Sequence, residues 1–263
     1  MPKIKWRAGA AWACALVLIA LSLTVNLLLR AGADASPLMR NWLRTFFASG
    51  MRLVIQGFLS LLVVWWFSHA RSTRQFVGCV ALRRRPTLLG WGTAWIAIGI
   101  GFLALYSETR KWIPPTPMTG AFYNRGGSAR WFIIIYAVFL APFCEEVVMR
   151  GFLYRAFRGS YGRALSTALV ICFHTYFHWG LVSRSLYTLV YLSLLQVLLC
   201  MTRERTGNVW NCILCHSAYN AAVGVNWATY FIGMILLFPF CVRSTQVLLS
   251  GKNPEPENQC ANQ

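Results

Sequence analysis

The sequence predicts an all-α fold, a polytopic membrane helix bundle of about eight transmembrane helices with cytoplasmic N- and C-termini. Of the 263 residues, 57% are hydrophobic and only 12% are charged, whereas about 25% of the residues of a soluble domain are charged. Several apolar stretches reach the length of about 20 residues that a helix needs to cross a bilayer. The predicted spans are 8–29, 46–67, 87–106, 131–157, 161–181, 185–202, 207–223 and 228–242.

The distribution of basic residues predicts the orientation of the bundle. With the N-terminus inside, the cytoplasmic segments hold 15 Lys and Arg residues and the outer segments hold 8. Cytoplasmic loops of membrane proteins carry such an excess and contact anionic headgroups. The net charge of +18 therefore indicates a lipid bilayer as partner and does not indicate nucleic acid. A bacterial cytoplasmic membrane is the expected location.

The chain divides into four predicted parts. Residues 1–130 form N-terminal transmembrane helices and loops, 131–223 a helical core, 224–243 the final transmembrane helix and 244–263 a polar tail. The nine cysteines lie mostly in apolar spans, where cysteine behaves as a small buried hydrophobe. They predict no disulfide framework, and the sequence makes no prediction of oligomeric state.

Two adjacent carboxylates, Glu145 and Glu146, interrupt an apolar stretch of the core. They are two of only seven acidic residues in the chain. Placing an ionised carboxylate in hydrocarbon costs at least ~2.5 kcal/mol, so a functional site is the expected reason for the pair. Arg150, one helical turn further on, is the expected charge partner.

Three of the four histidines also lie in predicted spans, and two of them pair at helical spacing. His174 and His178 are four residues apart, as are His216 and Asn220, so each pair shares one face of a helix. At 1.5 Å per residue, Glu145 lies roughly 18 Å from the inner end of its span, His216 roughly 14 Å, His174 roughly 20 Å and His178 roughly 25 Å. These depths predict a shared polar cavity.

The chemistry that fits this set is hydrolysis of an amide bond within or beside the membrane. A glutamate beside a histidine can hold a water molecule and take its proton. A second histidine and an asparagine supply donors for a developing oxyanion. Interhelical hydrogen bonding alone does not account for two costly carboxylates, whereas a proton or ion relay in a transporter is a competing hypothesis.

The order of these motifs resembles a known family. Glu145-Glu146-x-x-x-Arg150, a histidine about 33 residues later and His216-x-x-x-Asn220 are similar to the motifs of the CPBP family. These are the CAAX-protease and bacteriocin-processing (Abi) intramembrane glutamic endopeptidases. The resemblance covers residues 131–223.

The resemblance implies an intramembrane endopeptidase that uses no cofactor and cleaves a membrane-associated protein or peptide precursor. Carried over to this sequence, Glu145 and His178 activate the water, and His216 and Asn220 form the oxyanion hole. Glu146 and Arg150 support the site. A non-catalytic immunity protein on the same helix bundle is an alternative.

The second motif departs from the family pattern. The family has Phe-x-x-x-His, and here the residue four before His178 is His174. We assign the motif histidine to His178, and the role of His174 stays open. His-x-x-x-His on one helix face with a nearby glutamate also suits zinc, so a zinc-dependent intramembrane protease is the rival mechanism.

Overall fold

The computed structural model describes residues 8–35, 46–82, 86–109, 135–183, 185–224 and 242, and every regular element in these ranges is helical. The N-terminal half contains α1 (Ala8–Ala35), α2 (Phe46–Phe67), α3 (Thr73–Cys79) and α4 (Leu88–Thr109). The remainder begins with a continuous helix, the composite helix 136–158, described below. It is followed by α7 (Arg163–Phe177), α8 (Trp179–Val182), α9 (Leu186–Thr206) and α10 (Val209–Gly224). The predicted all-α class is therefore confirmed.

The composite helix 136–158 alternates between π-helical and α-helical geometry. A π-helical segment, Tyr136–Leu140, leads into α5 (Ala141–Glu146), a second π-helical segment spans Val147–Leu153, and α6 (Tyr154–Arg158) completes it. All seven residues of the second π segment are buried. Their apolar side chains pack in the main core with residues from α1, α2 and α7, including Cys14, Val64 and Phe173. The helix that carries the two carboxylates is thus the central element.

Within the described parts of the chain, two helices are long and apolar enough to cross a membrane, by length and composition. They are α1, through residues Ala8–Val25, and α9, Leu186–Thr206, and two shorter apolar helices occur at Val54–Phe67 and Leu88–Ala104. The total of about eight spans and the cytoplasmic termini stay predictions. The predicted final span at 228–242, except Val242, and the polar tail lie outside the described residues.

One predicted span is interrupted. The interval 161–181 was expected to be one helix, but α7 ends at Phe177 and α8 begins at Trp179. His178 lies between them with φ −101° and ψ 16°, and its Nδ1 is 3.1 Å from the carbonyl oxygen of His174. The backbone N–H of His178 also donates to this carbonyl oxygen, at 3.1 Å. The interruption therefore falls at a candidate site residue.

Small residues set the close packing of α4 on α10. A Cβ atom added at Gly90 would clash with the Asn211 side chain, and one added at Gly101 would lie 2.5 Å from the Ala222 Cβ. The Asn211 Oδ1 accepts a 2.9 Å hydrogen bond from the Thr87 backbone N–H. Small residues at such interfaces let membrane helices approach closely. This contact fixes the position of α10, which carries His216.

Gly90→Ala should destabilise the protein, because the new Cβ would lie only 2.9 Å from the Asn211 Cβ and nearer still to its amide group. Overpacking of this kind costs about 1–3 kcal/mol. Thermal unfolding of the purified protein in detergent measures the effect. Gly99→Ala on the same helix is the control, since nothing lies within 4 Å of its added Cβ. Equal unfolding temperatures for the two variants would contradict the packing described for α4 and α10.

Candidate active site

The two adjacent carboxylates occupy different environments. Glu145 and Glu146 are the last residues of α5, directly before the second π-helical segment. The Glu146 side chain is fully buried, whereas that of Glu145 is 28% exposed. Segments of π-helix occur often at functional sites. One carboxylate is therefore enclosed by protein, and its neighbour is reachable from outside.

Glu146 is the acceptor at the centre of a buried charge network. Its Oε1 accepts from Arg150 Nη1 at 3.0 Å and lies 2.8 Å from His216 Nδ1. The predicted pairing of Glu146 with Arg150 is present, and both side chains are fully buried. Buried ion pairs need such additional hydrogen bonds to offset the loss of hydration.

Arg150 is held from its other side by α9. Its Nη2 donates to the side-chain oxygen of Gln196 and, at 3.4 Å, to the backbone oxygen of the same residue. Arg203 Nε donates to the Arg150 backbone oxygen at 3.3 Å. Gln196 is fully buried. These contacts fix the guanidinium, and through it the Glu146 carboxylate.

His216 lies between the two glutamates. Its Nδ1 faces Glu146, and its Nε2 is 3.9 Å from Glu145 Oε2. The imidazole is buried. A carboxylate on one ring nitrogen fixes the orientation of the ring and directs the other nitrogen. The structure therefore points Nε2 of His216 toward the exposed carboxylate.

His174 of α7 and His178, which directly follows α7, face Glu145. The rings of His174 and His178 stack with centroids 4.2 Å apart and planes 16° from parallel. His174 is fully buried and His178 is half-buried. Ligand atoms of Glu145, His174 and His178 all lie within 4.8 Å of one another. The two histidines thus lie on the same side, as expected, and both are close to the carboxylate.

Asn220 lies one turn beyond His216 on α10. Its Nδ2 donates to the Ala137 backbone oxygen at 2.8 Å, which joins α10 to the first π-helical segment. A side-chain amide has two N–H donors, so this bond leaves a second one. The structure therefore brings Glu145, Glu146, Arg150, His174, His178 and His216 into one cluster and anchors Asn220 beside the helix that carries the carboxylates.

Two residues of this network, Gln196 and Arg203, were not predicted from the sequence. Gln196 is a polar residue in an otherwise apolar stretch, Leu-Leu-Gln-Val-Leu-Leu, and that signal could have identified it. Arg203 was assigned to a cytoplasmic segment and to membrane orientation. Nothing in the sequence indicates that its guanidinium bonds to the backbone of Arg150.

Comparison with known proteins gives one match. Residues 127–222 match the family model described as type II CAAX prenyl endopeptidase Rce1-like. The match nearly coincides with the predicted core at 131–223 and contains all the candidate site residues. The predicted resemblance to the CAAX-protease family is confirmed for this segment, and so is the assignment to membrane proteins. No match is found among curated proteins or among solved structures.

Gln196→Ala should destabilise the core, because it removes an acceptor from the buried guanidinium of Arg150. Hydrogen bonds to charged groups contribute about 1.5–3 kcal/mol, and thermal unfolding in detergent measures the loss. Val197→Ala is the control, since that neighbouring side chain on α9 is exposed. If both variants unfold like the wild type, the contact does not support the site.

Proposed function

We propose, from the match of residues 127–222 to the CAAX prenyl endopeptidase family, that this chain is an intramembrane endopeptidase that activates water with Glu145 and His178. The observation that carries the proposal is the contrast between two adjacent carboxylates. Glu146 is fully buried and bound by Arg150 and His216, while Glu145 is accessible and faces three histidines.

Glu145 is the proposed general base. A base must lie within hydrogen-bond reach of the proton that it takes, and only the partly exposed carboxylate of the pair can meet water and substrate. His178 is the second water ligand. Its Nδ1 lies 3.1 Å from the carbonyl oxygen of His174, which assigns the proton to Nδ1 and leaves Nε2 as an acceptor.

His216 and Asn220 are the proposed oxyanion donors. With Glu146 on its Nδ1, His216 presents its Nε2 on the side of Glu145. Asn220 contributes the N–H that is not bonded to Ala137. Donors fixed before the reaction stabilise developing negative charge most effectively. Glu146 and Arg150 hold these groups in position.

The reaction balances with these groups alone. The water oxygen bonds to the carbonyl carbon of the scissile peptide while Glu145 takes a water proton, and the carbonyl oxygen becomes the oxyanion. When this intermediate collapses, the C–N bond breaks and Glu145 returns the proton to the leaving nitrogen. The products are a carboxylic acid and an amine, and the acid then passes its proton to the amine to give a carboxylate and an ammonium group. A membrane-associated protein or peptide is the proposed substrate class.

Glu145→Gln should abolish cleavage with little change in unfolding temperature, because its carboxylate is partly exposed. A general base contributes about 10²–10⁴-fold to the rate. The measurement uses the protein in liposomes with peptides that carry a prenylated C-terminus, a hydrophobic sorting signal or a secretory precursor sequence.

Glu146→Gln is the matched comparison for this experiment. It removes a charge from the buried network with Arg150 and His216, so it should lower both the unfolding temperature and the activity. Glu204, which pairs with Arg158 and Arg163 away from this cluster, gives a control in Glu204→Gln that keeps cleavage. Full cleavage by Glu145→Gln would overturn the proposed function.

A further inference from the structure

His174 has no role in the proposed hydrolysis, yet its burial is costly. The side chain is fully buried, and neither ring nitrogen has a hydrogen-bond partner among the described residues. Leaving a buried polar group unpaired costs about 1–3 kcal/mol. The rings of His178 and His216 lie nearby, with centroids 4.2 Å and 6.1 Å away. A neutral imidazole has one ring-nitrogen lone pair, which in this position is available to a ligand.

Glu145 and His178 complete a set of donors around this imidazole. Ligand atoms of the three residues lie within 4.8 Å of one another, and Glu145 Oε2 has no hydrogen-bond partner among the described residues. A tetrahedral ion with bonds of about 2.1 Å holds its ligands about 3.4 Å apart. The ligand atoms must therefore move closer together, by up to about 1.4 Å, to reach this geometry.

We propose that Glu145, His174 and His178 form a binding site for one divalent transition-metal ion of the zinc class. Two imidazoles and one carboxylate are a donor set that zinc accepts, with a fourth position left open. Magnesium and calcium prefer oxygen ligands throughout, so this nitrogen-rich set selects against them. The half-exposed His178 and the partly exposed Glu145 give the ion a route of entry.

The bound ion inhibits the peptidase. It occupies the carboxylate of Glu145 and the imidazole of His178, the two groups that activate water in the proposed function. This second step rests on the proposed function, whereas metal binding itself does not. His174, which stands in place of the phenylalanine of the family motif, supplies the third ligand, so zinc sensitivity of this chain depends on this histidine.

The binding test is a titration of the purified full chain in detergent with cobalt(II), a spectroscopic substitute for zinc. One ion per chain should bind, and both His174→Phe and Glu145→Gln should weaken binding at least about tenfold. Cys172→Ser is the control, because this exposed cysteine lies on the same helix. Unchanged binding by His174→Phe, or a cobalt–thiolate absorption band in the wild type, would overturn the site.

X-ray absorption of the zinc-loaded wild type tests the site without any substitution. Two imidazole ligands are expected, and fewer than two contradict the proposal even if His174→Phe fails to fold. Zinc should also inhibit cleavage by the wild type, with the inhibitory concentration raised at least about tenfold in His174→Phe. Stimulation of wild-type cleavage by zinc would overturn the inhibitory role.

The two proposals fail separately. If Glu145→Gln still cleaves its substrate, the proposed function is wrong while cobalt binding by the wild type still supports the site. If the wild type binds no cobalt, the metal site is wrong while loss of cleavage in Glu145→Gln still supports the peptidase.

Discussion

The buried contact between Glu146 and Arg150 is the interaction on which the core depends. Each charge is fully enclosed, and an isolated charge in such a place costs several kcal/mol after relaxation. Neither residue can therefore be removed without leaving its partner uncompensated. Two further helices contribute to the pair, since Gln196 on α9 accepts a hydrogen bond from Arg150 and His216 on α10 contacts Glu146. One ion pair thus joins three helices of the core.

This network separates the roles of two residues that are chemically identical. Adjacent positions on a helix point about 100° apart, so Glu146 faces the protein interior while Glu145 faces the accessible side. The enclosed carboxylate orients His216. Oε2 of each glutamate has no hydrogen-bond partner among the described residues, but only the Glu145 side chain is partly exposed. This carboxylate of Glu145 can bind a water molecule or a metal ion, so the proposed function and the proposed metal site both depend on it. Water and a metal ion therefore compete for the Glu145 carboxylate.

The spacing of residues along a helix predicted much of this arrangement. It could not predict contacts that depend on how the helices pack together. The i, i+4 relation of Glu146 to Arg150 and of His174 to His178 follows from helix geometry, and both contacts are present. The two π-helical segments and the break at His178 depend on tertiary packing, which a helical period does not encode.

Two hydrogen bonds between residues that are distant in the chain were also not predicted from the sequence. Asn220 bonds to Ala137, and Arg203 bonds to the backbone of Arg150. In both cases the acceptor is a backbone carbonyl, which every residue carries, so the sequence holds no signal for the pairing. Gln196 differs, because a polar side chain within an apolar stretch indicates a buried partner.

The position of α10 connects this chemistry to the packing of small residues. His216 must reach Glu146 at 2.8 Å while facing Glu145 at 3.9 Å. A slip of α10 by one turn would move the ring by about 5.4 Å and break both relations. Gly90 against Asn211 and Gly101 against Ala222 oppose that slip, since a larger side chain at either glycine position would clash with its partner. The glycines of α4 therefore contribute to the site without contacting any of its charged groups.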